Sequence, residues 1–127
     1  MTILLIAATT AEIAPFIAFL EQHWLQTGER AYERDGRHID IGITSVGMVA
    51  TTYELTKALT GKRYDLVLQA GVGGSFDKDI PLGTVVSVTS EAFGDLGAED
   101  HYQFRDVFEL GLAEADAVPF SGGRLVT

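Results

Sequence analysis

An α/β fold, with a mixed central β-sheet flanked by helices, is what this sequence predicts, on three observations. Thr2 to Ala8 and Tyr64 to Gln69 are short apolar runs of strand length, the signature of strands covered on both faces. Between them lie two stretches whose apolar residues recur at helical spacing. Asp35-Gly36 separates two further strand-like segments and is the strongest short hairpin signal a sequence offers. A hairpin is antiparallel, so the sheet is mixed.

The elements follow in order. After the first strand, Ile13, Phe16, Ile17, Leu20, Trp24 and Leu25 fit one helix, with Gly28 as its stop. Arg30 to Arg34 and His38 to Thr44 form the arms of the hairpin. Ser45-Val46-Gly47 turns into a second helix whose face carries Met48, Leu55, Ala58 and Leu59, with Gly61 where a C-terminal cap belongs. The buried strand Tyr64 to Gln69 then runs into Ala70-Gly71-Val72-Gly73-Gly74-Ser75. Pro81 and Gly83 punctuate before Thr84 to Phe93, rich in valine and threonine and read as another strand. From Gly94 the pattern weakens. Asp95 to Asp100 is loop-like, Phe104 to Leu112 a short partly buried segment, Ser121-Gly122-Gly123 a turn, and Arg124 to Thr127 the opening of a strand.

Composition bounds the function. A chain of 127 residues, 46% hydrophobic and 21% charged, suits one globular domain. A formal net charge of −9 argues against nucleic-acid or anionic-membrane partners, which need clustered cations. Eleven of the eighteen acidic residues lie from Asp65 onward, a pattern that reads as solvated surface. Without cysteine there is no thiolate nucleophile and no cysteine-based zinc site. His23, His38 and His101 are far apart, and Asp95, Glu99 and Asp100 lack a calcium-loop spacing, so no metal is expected. A reducing cytosol is the default compartment.

Three loops fall at strand ends where α/β sheets bind ligands: Ala8 to Glu12, Ser45 to Gly47, and Ala70 to Ser75. No helix follows the glycine cluster; a loop with Asp77 and Asp79 does, which disfavours a phosphate cradle and favours approach of something flat and uncharged. A tight turn needing positive φ is the plainer explanation of the glycines. Thr9 and Glu12 match a capping box, in which the glutamate would only satisfy a helix N-terminus. Pro15 opposes that, because a helix capped at Thr9 would place it too far inside. A helix starting near Glu12 puts Pro15 in its first turn and leaves the carboxylate facing the cleft.

Ile3-Leu4-Leu5-Ile6-Ala7-Ala8 leading to Glu12, Ser45-Val46-Gly47-Met48-Val49-Ala50, Ala70-Gly71-Val72-Gly73-Gly74 and Leu82-Gly83-Thr84-Val85-Val86 together resemble the N-terminal half of the purine nucleoside phosphorylase and nucleosidase superfamily. Glu91 to Asp100 is most similar to the futalosine hydrolases within it. The resemblance implies cleavage of an N-ribosidic bond, releasing hypoxanthine from futalosine in menaquinone biosynthesis, without metal or organic cofactor and through an oxocarbenium-like sugar. It implies that Glu12 activates water, that Thr9, Ser45 and Val46 lie beside the ribose and its 5′ substituent, and that Gly71, Val72 and Gly73 wall the base. The implied partner is a small purine nucleoside, and the implied assembly a homo-oligomer to which Tyr102 or Phe104 lends an aromatic residue. In the family the chain continues for nearly as long again, and that half carries the purine-serving aspartate and the ribose-binding glutamate. Residues 1–127 are therefore expected to be a truncated domain with exposed apolar surface and negligible activity alone. Methylthioadenosine or adenosylhomocysteine nucleosidases and phosphorylases share the fold. Phosphorolysis is disfavoured because Arg30, Arg34 and Arg37 belong to the hairpin and no arginine stands in the loops directly after Ala8 or Gly71. A non-catalytic nucleoside-binding domain is the alternative from another class.

Overall fold

The computed structural model describes residues 1–88 and 95–114. Met1–Phe76 form one compact unit and Asp77–Thr127 a second. The first unit holds β1 (Thr2–Ala7), a 3-10 turn (Ala11–Ile13), α1 (Ala14–His23), β2 (Leu25–Gly28), β3 (Ala31–Arg34), β4 (Arg37–Ile43), α2 (Met48–Gly61) and β5 (Leu66–Gln69). Its five strands lie in the order β2-β3-β4-β1-β5, with β1 parallel to both β4 and β5 and the β2-β3-β4 meander antiparallel. This is the mixed α/β sheet flanked by helices that the sequence predicts.

β1 occupies the middle of the parallel part because it has no polar face to offer water. Leu4, Leu5, Ile6 and Ala7 are all buried. Alternate side chains point to opposite faces. Leu5 and Ala7 join Ile13, Leu20, Tyr32, Ile39 and Ile41 in one cluster beneath α1. On the other face Ile6 and Gly42 share a cavity of about 410 Å³ with Leu55 and Ala58 of α2. The two helices thus cover opposite faces of the sheet.

The hairpin forms as predicted. Arg34 pairs with Arg37, and the turn between them holds Asp35 at φ 50° and Gly36 at φ 71°, the paired left-handed geometry of a type I′ turn.

Other expectations need correction. The first helix stops at His23, not near Gly28; Trp24 is already extended, and its N–H closes on the Leu20 carbonyl at 2.8 Å. Leu25–Gly28 is instead an edge strand, with Leu25 opposite Glu33 and Gln26 opposite Tyr32. Helical spacing of Trp24 and Leu25 is overridden by ladder bonds available along β3. Gly61 is the last residue of α2 and Lys62 caps it in an extended conformation, so no left-handed glycine is used there. Of the expected α2 face, Leu55 and Ala58 turn inward, whereas Met48 and Leu59 are exposed. β5 begins at Leu66 and is not a buried strand. It pairs with β1 on one side, and Val67 and Leu68 remain exposed.

In the second unit, β6 (Gly97–Asp100) and β7 (Gln103–Asp106) form an antiparallel hairpin turned by His101 and Tyr102, both at positive φ. A Cβ at Gly97 would collide with the Arg105 carbonyl, so the ladder closes only on a glycine. The loop expected over Asp95 to Asp100 is therefore strand from Gly97 on, and β7 opens the segment that carried no clear pattern. Residues 84–88, expected to begin a strand, join no ladder among the described residues, and Val85, Val86 and Val88 are exposed. Apolar β-branched residues alone do not make a strand when no neighbour supplies hydrogen bonds. The remainder of that strand, the first four residues of the acidic Glu91 to Asp100 stretch, the Ser121-Gly122-Gly123 turn and the Arg124 to Thr127 strand lie outside the described residues.

Candidate active site

Strands β4, β1 and β5 are consecutive and parallel, so their carboxyl ends finish level. Ala7 pairs with Ile43 and Ile6 with Gln69. Just beyond, the Thr44 N–H donates to the Ala7 carbonyl at 2.9 Å and the Ala70 N–H to the Ile6 carbonyl at 2.9 Å. The three expected loops therefore leave one edge of the sheet side by side. The β1 exit leads to α1 on one face and the β4 exit to α2 on the other. Chains that diverge in this way open a crevice between them, the usual ligand position in such sheets.

Glu12 stands in the 3-10 turn, and Pro15 falls in the first turn of α1, where its missing N–H costs nothing. The carboxylate is held from two sides. Its Oε2 accepts the Thr9 N–H at 2.7 Å and the Thr9 hydroxyl at 3.2 Å; its Oε1 accepts the Val72 N–H at 3.4 Å. The glutamate half of a capping box is thus present. The threonine half is not, because the Thr9 hydroxyl is turned to the carboxylate and no side chain caps either helix start. Glu12 both steadies the turn and reaches the glycine loop.

These hydrogen bonds set its charge. The Thr9 N–H, then the Val72 N–H, hold the carboxyl below its ordinary pKa; desolvation opposes them, and the Thr9 hydroxyl and the Ala8 N–H add smaller lowering contributions. The group is therefore an anion at neutral pH, able to accept a proton from water and to steady developing positive charge.

The glycine cluster does not do what a tight turn requires. None of Gly71, Gly73 and Gly74 has positive φ. A Cβ on Gly73 or Gly74 would meet nothing within 4 Å, so the loop presents bare main chain to open space. The missing side chains, not unusual backbone angles, are what these residues contribute.

The β4 exit is different in kind. Ser45 is a non-glycine residue at φ 65° and Gly47 follows at φ 99°, with Val46 between them 77% exposed. Hydrogen bonds join Glu12 to Thr9 and Val72, and Gly71 lies beside its carboxylate. Ser45, Val46 and Gly73 are placed by the strands they follow, not by hydrogen bonds to Glu12. One polar residue escaped notice in the sequence. Thr44, 4% exposed, directs its hydroxyl toward the Ala7 carbonyl at 3.3 Å and the Thr51 hydroxyl at 3.2 Å. A hydroxyl residue closing an apolar strand, seven before another in the first turn of a helix, was the available signal.

Among the described residues no group of three His, Cys, Asp or Glu side chains is arranged to hold a metal ion, and no helix is long and apolar enough to cross a membrane.

No family model matches the chain, and no solved structure matches it significantly. Among curated proteins, a futalosine hydrolase from Streptomyces coelicolor (strain ATCC BAA-471 / A3(2) / M145) is similar, with 40% identity over 62 residues. The matched stretch covers 49% of this chain and 26% of that protein.

Proposed function

We propose that the crevice binds a purine nucleoside and hydrolyses its N-glycosidic bond, with futalosine as substrate and hypoxanthine and dehypoxanthine futalosine as products in menaquinone biosynthesis. The observation that carries this reading is the Glu12 carboxylate, held ionised between Thr9 and the bare main chain at Val72. The similarity to a futalosine hydrolase supports it.

In this mechanism Glu12 orients a water and takes its proton as the sugar develops oxocarbenium character and the C–N bond breaks. Gly71, Val72 and Gly73 let the flat base approach the main chain. Ser45 and Val46 meet the ribose and its 5′ substituent. The leaving purine takes its proton from solvent, since among the described residues no acid is placed beside the base. Self-association belongs to the same proposal and is checked by sedimentation equilibrium at several concentrations.

The test is hypoxanthine release from futalosine by the intact protein, compared with Glu12→Gln. Loss of a general base is worth roughly 10²–10⁴ in rate, so turnover falls by that factor while nucleoside binding persists. Undiminished turnover in the variant removes Glu12 from the mechanism. Binding without any turnover in the wild type leaves a nucleoside-binding domain instead. Methylthioadenosine and adenosylhomocysteine, assayed beside futalosine and with phosphate present or absent, separate the neighbouring activities.

A further inference from the structure

We infer that Thr44 is the positioning residue of this site, fixing the spacing between the loop that carries Glu12 and the loop that carries Ser45 and Val46. The inference rests on the nucleoside-hydrolase reading for what those loops touch, but its structural part does not.

Thr44 is the last inward residue before the β4 exit and is 4% exposed. Its N–H donates to the Ala7 carbonyl at 2.9 Å, one residue before the loop toward Glu12. Its hydroxyl lies 3.3 Å from that same carbonyl, 3.4 Å from the Ser45 carbonyl and 3.2 Å from the Thr51 hydroxyl. A single hydroxyl therefore sits where the end of β1, the strained Ser45 and the first turn of α2 converge. The geometry also explains how Ser45 is kept at φ 65°, since a left-handed non-glycine residue persists only where its surroundings over-determine it.

Glu12 has its own anchors at Thr9 and Val72. Loss of the Thr44 hydroxyl should thus relax the Ser45 loop without disturbing the base. Thr44→Val keeps the shape and the N–H bond to Ala7, so the sheet can still close. In the intact protein, hydrogen exchange followed by mass spectrometry should show faster exchange of the segment spanning Ser45 to Thr51 in this variant, with Thr44→Ser restoring the wild-type rate. Futalosine kinetics should show KM raised about tenfold with kcat within about threefold, the pattern of lost ground-state binding. A general loss of folded protein would instead lower apparent kcat and leave KM alone.

Unchanged exchange at Ser45 to Thr51 overturns the inference, as does a kcat loss at constant KM. If exchange rises as expected while the wild type cleaves no nucleoside, the positioning role stands and the proposed reaction falls. Thr51→Val combined with Thr44→Val should add little to either single change, because both remove one link; full additivity counts against it.

Discussion

Gly71, at the β5 exit, lies beside the Glu12 carboxylate: a Cβ on Gly71 would stand 3.4 Å from Oε1 and 3.8 Å from Cδ of the glutamate. The neighbour is the end of a flexible side chain, so Gly71→Ala should fold. The added methyl would touch the carboxylate at the near limit of ordinary contact, shifting it by a few tenths of an ångström at most. We expect a kcat lowered by no more than about tenfold, below the roughly 10²-fold that a 1 Å misplacement can cost. Gly73→Ala meets nothing within 4 Å and should leave Glu12 untouched while weakening nucleoside affinity, which calorimetry can read. Equal kinetic effects of the two substitutions would contradict the division of roles.

The hydrogen bonds to Glu12 carry a pH signature. Its folded pKa is below the ordinary carboxylate value, so its contribution to stability is present above that value and is lost as pH falls through the lowered one. Urea unfolding between about pH 6 and pH 3 should therefore show wild type losing more stability than Glu12→Gln. In turnover, the acid limb attributed to Glu12 should lie below the usual carboxylate range. A limb near neutrality would assign the base elsewhere.

Tyr64 gives a second titration with the opposite sign. Partial burial, and then its hydrogen bond to Asp40 at 2.8 Å, push the phenol up to about 12. Lys62 meets the same Asp40 oxygen at 2.7 Å. The neutral phenol is the favoured form in the folded state. Its stabilising effect is complete below the unfolded tyrosine pKa and fades as pH rises through the folded one. Ultraviolet titration of phenolate should contain a step near 12 that Tyr64→Phe removes. Persistence of that step would assign it to another tyrosine.

Leu20 is the deepest part of the α1 face, with 0% exposure, against Leu5, Ala7, Tyr32, Ile39 and Ile41. Leu20→Ala should cost about 2–5 kcal/mol in urea unfolding, the range for a leucine cut from a closed core. Phe19, 47% exposed on the same helix, should cost far less when cut to alanine. Similar losses at both positions would mean that α1 is rotated.

Much of this arrangement was legible in the residues themselves. Ile3 to Ala7 could only be a covered strand, and Asp35-Gly36 could hardly be other than a hairpin turn, since each signal is local and strong. Pro15 placed the helix start correctly because its constraint is covalent. β2 was not legible: Trp24 and Leu25 continue the helical spacing, and only the edge offered by β3 decides against it. The exposure of Met48 and Leu59 on α2 was likewise hidden, because a sequence gives the period of a helix but not which side meets the sheet. Thr44 was missed for a related reason. Its importance lies in what surrounds it, and those partners come from distant parts of the chain.

The Glu12–Val72 bond spans sixty positions and crosses from the first strand to the last of its sheet. A chain that has zipped its meander but not yet docked β5 possesses the acid and nothing opposite it. Under the proposed reaction, the base and the main chain opposite it meet only once β1 and β5 have paired, a contact of high sequence separation. A lesion that frays the β5 margin should therefore free the Val72 end of that bond while the β2-β3-β4-β1 ladders are kept.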